Sequence, residues 1–353
     1  MRGERPLGRR LRVTRRLVGR RVEQLHGRYA RLFWAVHSVW ALVTGVAVLV
    51  LAHNRYGFVK WVVLFLGLTW LSTLFFSRFA RLSESRAFRF AQGFVSYLTR
   101  VMYQETLFFL IPFYFYSSTF PSWNSAYVML LAALAVLSCF DMLFDRLMRE
   151  MPWFALAFFL VVTFSALQFF IPLLLSIHIT HGALIAAAVS LLAAVPLAFT
   201  WSRLRQPKVL LRLGLAVVLV LAGVKALRFA IPPVPLRLTR VRFSARIDPA
   251  TLRVPAELER TVTASQLPEG KLYATATIFA PSRLPARLRL RFLRDSSTVR
   301  WSRTVSLVAH DKGFRIWDVY KGRNGRIEPG RYTVEIWTSD SQLVGRSDIT
   351  VTP

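Results

Sequence analysis

Seven long apolar runs decide what this chain can fold into. They cover roughly 32–52, 58–76, 96–117, 125–144, 153–177, 183–201 and 210–230. About 20 apolar residues in a helix cross the hydrocarbon core of a bilayer. Backbone groups in lipid have no water to bond to, so such runs become helices that satisfy their own N–H and C=O groups. The sequence therefore predicts an all-α transmembrane bundle of about seven helices over residues 32–230.

Charge then orients the bundle. The chain carries 47 Lys and Arg against 18 Asp and Glu, a net charge of +29, yet its hydrophobic fraction is 54%. The two properties coexist because they are segregated along the chain. Arg crowds the N-terminal segment; Arg78, Arg81, Arg86 and Arg89 follow the second run, Arg146 and Arg149 the fourth, and Arg203, Arg205 and Lys208 the sixth. The alternate loops are nearly bare, with Arg55 alone in 53–57 and no Lys or Arg in 117–124 or 178–182. Retention of cations on the side of synthesis predicts a cytoplasmic N-terminus. An odd number of spans then places everything after about residue 230 outside the cytoplasm, in the periplasm if the membrane is a bacterial inner membrane. The same segregation explains the basic pI of about 11.6 without nucleic acid.

Residues 1–31 form a basic segment in which Leu11, Val18 and Leu25 stand seven residues apart, a spacing continued by Leu32 at the start of the first run, with Val22 and Tyr29 between them. One apolar stripe among Arg predicts an interfacial helix on anionic lipid headgroups; the alternative is a basic tail that only fixes topology. Trp34, Trp61, Trp123, Trp153 and Trp201 fall near the ends of the runs, the depth at which indole rings collect. Cys139 is the single cysteine, so no intrachain disulfide exists.

Ionisable groups within a span are costly and are functional candidates by default. Gln104 and Glu105 interrupt the third run; Asp141 and Asp145 lie at the end of the fourth. Two readings are open: a proton or cation site between helices built on Glu105 and Asp141, or charges paired with nearby Arg, Asp145 with Arg149 at i,i+4. His53, His178 and His181 share one membrane face, but no carboxylate or cysteine accompanies them in those loops, so no metal and no other cofactor is expected. Glycine-rich phosphate loops, His-Glu-x-x-His and Gly-x-Ser-x-Gly are missing from the sequence, which leans against an enzyme.

At Pro232, Pro233 and Pro235 the pattern changes. Residues 231–237 read as a short stiff linker, and 238–353 as a β-domain of period-two strands. Arg287 to Phe292 alternates without a fault, as does Arg240 to Ile247, and further strands read at 258–266, 271–280, 298–308, 313–320, 331–338 and 343–352. Seven or eight short antiparallel strands predict an immunoglobulin-like sandwich. Trp301 aligns with Val299, Val305 and Leu307 on an inward face and is expected in the core. Trp337 alternates with Glu335 and Thr333 and is expected outside. Arg240, Arg242 and Arg246 stripe one strand and Arg287, Arg289 and Arg291 another; with Trp337 they are candidates for binding lipid headgroups, an envelope glycan or a membrane-protein partner.

Lys271–Ala280, Trp301, Gly313–Trp317, Pro329–Ile336 and Leu343–Arg346 resemble the bacterial domain of unknown function DUF2914. Gln104–Phe109 with Pro112–Tyr114, and Asp141 with Asp145 and Arg146, resemble the multi-pass region DUF5924 that often precedes it. The resemblance implies architecture and carries no activity. The expectation is a multi-pass inner-membrane protein displaying a β-sandwich for binding or envelope scaffolding. The alternative is a solute or lipid transporter, or a membrane enzyme, using Glu105 and Asp141.

Overall fold

The computed structural model describes residues 86–353, apart from 249–253, 268, 281–283 and 309–312, together with Val43. The basic segment 1–31, the first two apolar runs (Val43 excepted) and His53 lie outside the described residues.

Seven α-helices come first among the described residues: α1 (Arg86–Tyr116), α2 (Trp123–Cys139), α3 (Asp141–Glu150), α4 (Pro152–Leu175), α5 (Ile179–Ala198), the single turn α6 (Trp201–Leu204) and α7 (Pro207–Ala226). By length and composition α4, α5 and α7 can each cross a membrane, and a fourth span results if the bent pair α2 and α3 is counted as one. α4 and α5 form a tight hairpin, since α5 buries Gly182, Ala183, Ala186, Ala187, Ser190 and Ala194 on one face. A Cβ at Gly182 would stand 2.6 Å from Pro172 Cγ of α4, so only glycine fits there without displacing the proline ring.

The run at 125–144 departs from the single helix expected. The chain leaves helical geometry at Phe140 (φ −88°, ψ 76°), and the bend between the two pieces is 105°. The physical reason lies in the sequence that follows: Asp141, Asp145, Arg146 and Arg149 make α3 amphipathic, and a straight continuation would carry those charges along an apolar span. α3 instead packs Phe144 against Phe154 and Phe158 of α4 and turns the Arg146–Glu150 pair outward.

Nine strands follow: β1 (Arg237–Ser244), β2 (Thr261–Thr263), β3 (Lys271–Phe279), β4 (Arg287–Arg294), β5 (Ser297–Trp301), β6 (Val305–Ser306), β7 (Phe314–Lys321), β8 (Gly330–Thr338) and β9 (Leu343–Thr352). One sheet has the order β1-β3-β7; the other is β2-β9-β8-β4-β5, with β6 also on β4. All pairs are antiparallel except β2 with β9. Alternate residues of both sheets, among them Ala274, Ile278, Leu290, Phe292, Tyr332, Val334 and Ile349, meet in one buried cluster. Apolar helices followed by a β-rich region is the order the sequence predicted.

Trp301 corrects the sequence reading. It is 40% exposed, because β5 is the outermost strand of its sheet and every one of its residues is exposed. Alternation within β5 is the same for either face, and nothing in its spacing distinguishes inward from outward.

Candidate functional site

The candidate site is the seam between helices and sheets, and it begins with residues 231–236. This short proline-rich segment is buried at every residue from Ile231 to Leu236. Val234 belongs to the core of the helical part, the cluster that also holds Phe109, Phe113 and Phe169. In exchange Ile179, the first residue of α5, belongs to the core of the sheets. Each half thus supplies a side chain to the other's interior.

Polar groups lock the same seam. Gln168 on α4 is fully buried, accepts from the Tyr114 hydroxyl at 3.2 Å and donates to the Pro232 carbonyl at 3.3 Å. Tyr114 also donates to the Ser165 carbonyl, and Tyr127 shares a 2.6 Å hydrogen bond with the Ser165 hydroxyl. Asn124, at the start of α2, donates to the Leu343 carbonyl at 2.9 Å, and Arg346 donates to the Pro121 carbonyl at 3.0 Å. The Arg237 guanidinium sits 5.4 Å over the rings of both Tyr116 and Phe279.

At the centre is the β8–β9 turn. Asp340 accepts from the Thr180 hydroxyl in the first turn of α5 and pairs with Arg228 at 3.1 Å. Arg228 also donates to the Thr180 hydroxyl and to Gln342 Oε1, while Gln342 donates to the Ile231 carbonyl at 3.0 Å. A carboxylate at the start of a 20-residue helix lies at the positive end of the helix dipole. Burial acts to raise the Asp340 pKa, but the hydrogen bonds from Thr180 and Arg228 and the charge of Arg228 outweigh it and hold the carboxyl below its ordinary value.

His178 caps α5, its Nδ1 accepting from the Thr180 N–H at 3.3 Å. The same nitrogen lies 3.4 Å from Asp340 Oδ2. Burial lowers the His178 pKa most; Asp340 opposes, and His181, Arg228 and Arg287 lower it further. The folded state thus favours neutral imidazole, so this contribution to stability is present above the unfolded value of about 6.5 and is lost as pH falls through the lower folded value. Thermal unfolding of the wild type is expected to move to lower temperature between about pH 7 and pH 5. His178→Asn, which can still cap, should flatten that stretch of the profile; an unchanged slope would remove His178 as its source.

The other sequence candidates fall as follows. Gln104 is buried on α1, and Glu105 is half-buried there. Asp141 opens α3, a helix separate from α2, and its side chain lies outside the described residues. Asp145 shares α3 with Arg149, whose Nε donates at 3.2 Å to the Asp145 carbonyl oxygen. Among the described residues no three His, Cys, Asp or Glu are placed to hold a metal; His178 and His181 lie with ring centres 5.8 Å apart. Arg240 and Arg242 both reach Glu257, and Arg246 reaches Glu269, so the β1 stripe is partly neutralised within the protein. Arg289 stacks 4.2 Å over Trp301, Arg291 pairs with Glu335, and Trp337 is half-buried with its Nε1 donating to Glu335. Sequence reasoning missed Asn124, Gln168, Thr180, Arg228, Asp340 and Gln342. Gln168 inside an apolar run was the one available signal.

A family model, described as a family of unknown function (DUF5924), matches residues 13–274. No curated protein matches the chain.

Proposed function

The chain belongs to the DUF5924 family of unknown function, and from that premise we propose that it is a multi-pass inner-membrane protein holding a β-sandwich rigidly against the outer membrane surface, where the sandwich binds an envelope component. One observation carries this reading: the exchange of Val234 and Ile179 between the two cores, with 231–236 buried. A domain on a loose tether samples many orientations, whereas one docked in this way presents a fixed face at a fixed height. The alternation of basic and bare loops supports a cytoplasmic N-terminus and a periplasmic C-terminal domain. Apolar α4, α5 and α7 support membrane insertion, with α1, the bent α2–α3 pair and the first two apolar runs completing the proposed seven crossings.

The strand order supports an immunoglobulin-like sandwich. The parallel β2–β9 pair, the split into β1-β3-β7 and β2-β9-β8-β4-β5, and the Tyr332 hydroxyl donating back to the Glu328 carbonyl at 2.9 Å are features of that fold. Such sandwiches work as display platforms, and the outer face of the larger sheet offers Arg287, Arg289, Arg291 and Trp337.

A reporter enzyme active only outside the cytosol, fused after Pro353, is expected to be active, and the chain should leave the membrane fraction only with detergent. Activity of a cytosolic reporter alone would reverse the topology. A photo-crosslinker at Trp337 should capture an envelope component in intact cells; capture of nothing but solvent would remove the binding half of the reading.

A further inference from the structure

The outer face of the larger sheet is basic along its length, but its cations are not equally committed. Arg331 bonds Asp348 at 2.5 Å, Arg291 bonds Thr298 at 2.8 Å and Glu335 at 3.5 Å, and Arg346 is held by the Pro121 carbonyl. Arg287 and Arg289 have no carboxylate partner among the described residues. Arg287 is exposed, and Arg289 sits over the Trp301 ring with its Nε buried and making no hydrogen bond.

These two sit at one end of the face. The Arg287 carbonyl accepts from Ser339 N–H, in the turn that seats Asp340 on α5, and Arg289 pairs across the sheet with Trp337. At about 3.3 Å per residue Arg289 stands roughly 7 Å beyond Arg287 along the strand. The polar headgroup layer on one side of a bilayer is roughly 5–8 Å deep. If the β-domain rests on the outer surface, as proposed above, with β4 running along the bilayer normal, the two guanidinium groups span that layer, while the ion-paired Arg291 and Arg331 stand above it.

Resting on that reading, we propose that Arg287 and Arg289, flanked by Trp301 and Trp337, form a binding site for the phosphate of an anionic phospholipid headgroup. A guanidinium offers a planar fork of donors that matches phosphate, and indole rings settle at the boundary of headgroup and hydrocarbon. A periplasmic acidic glycan would draw on the outer half of the face, where Arg291 and Arg331 already have carboxylate partners. The unpaired charge is at the membrane end.

The test uses the full chain in a neutral detergent, titrated with dihexanoyl phosphatidylglycerol, dihexanoyl phosphatidylcholine or inorganic phosphate and followed by calorimetry. Phosphatidylglycerol should bind tightest. Arg287→Gln, a change at an exposed position, should weaken it about tenfold, and Arg289→Gln by a similar factor. Arg323→Gln, at an exposed position at the opposite end of the sandwich, should bind as the wild type does. Three results overturn the site: no binding of the anionic lipid, equal binding by inorganic phosphate, or affinity indifferent to Arg287 and Arg289. A cytosolic C-terminal reporter would sink the topology itself, whereas an external reporter with no lipid binding would sink this site alone.

Discussion

Replacing Arg228 with Ala is expected to lower the stability of the docked β-domain by about 2–4 kcal/mol. The side chain is 13% exposed and its partner Asp340 28%, so neither charge is well hydrated once the other is gone. Arg228 links the β8–β9 turn to the first turn of α5 through Asp340, Thr180 and Gln342. Removing it leaves Asp340 with the Thr180 hydroxyl and strips Gln342 of one contact. Asp340→Ala should cost a similar amount by stranding the guanidinium. Because the two residues act through one contact, the double variant should lose clearly less than the sum of the singles. Limited proteolysis in detergent is the readout: cleavage within 231–236 should appear in both variants while the helices stay intact. Strict additivity would mean that the pair does not hold the turn.

The helices and strands were legible because each has one dominant period. β4 alternates Arg with apolar residues from Arg287 to Phe292, and the structure puts Leu288, Leu290 and Phe292 in the core and the arginines outside. The face of an edge strand was not legible, as Trp301 shows. The seam was invisible for a different reason: Thr180 and Asp340 are 160 positions apart, Asn124 and Leu343 are 219, and Gln342 and Ile231 are 111. No local pattern marks a residue whose partner is fixed only after both halves fold. The burial of 231–236 was not legible either, because a run of prolines is equally stiff in an exposed spacer and in a buried wedge, and only the surroundings tell the two apart.

Ile179→Ala is the second large effect expected, about 2–5 kcal/mol, the usual range for emptying a buried isoleucine site. Ile179 is 2% exposed, although it opens a helix and follows the cap residue His178. The sheets form its surroundings, so the cavity would open in the β-domain's core while the missing atoms belong to α5. This predicts a signature different from ordinary core loss. Ile278→Ala, wholly within the sheets, should destabilise the β-domain without freeing 231–236 from its bed. Ile179→Ala should do both, lowering the unfolding temperature and exposing the segment to protease at temperatures where the sandwich is still folded. Ile179→Val, which removes one methylene, should cost only about 0.5–1.5 kcal/mol and leave the segment protected. If Ile179→Ala melts as the wild type does, the two cores are separate, and the fixed presentation of the basic face loses its physical basis.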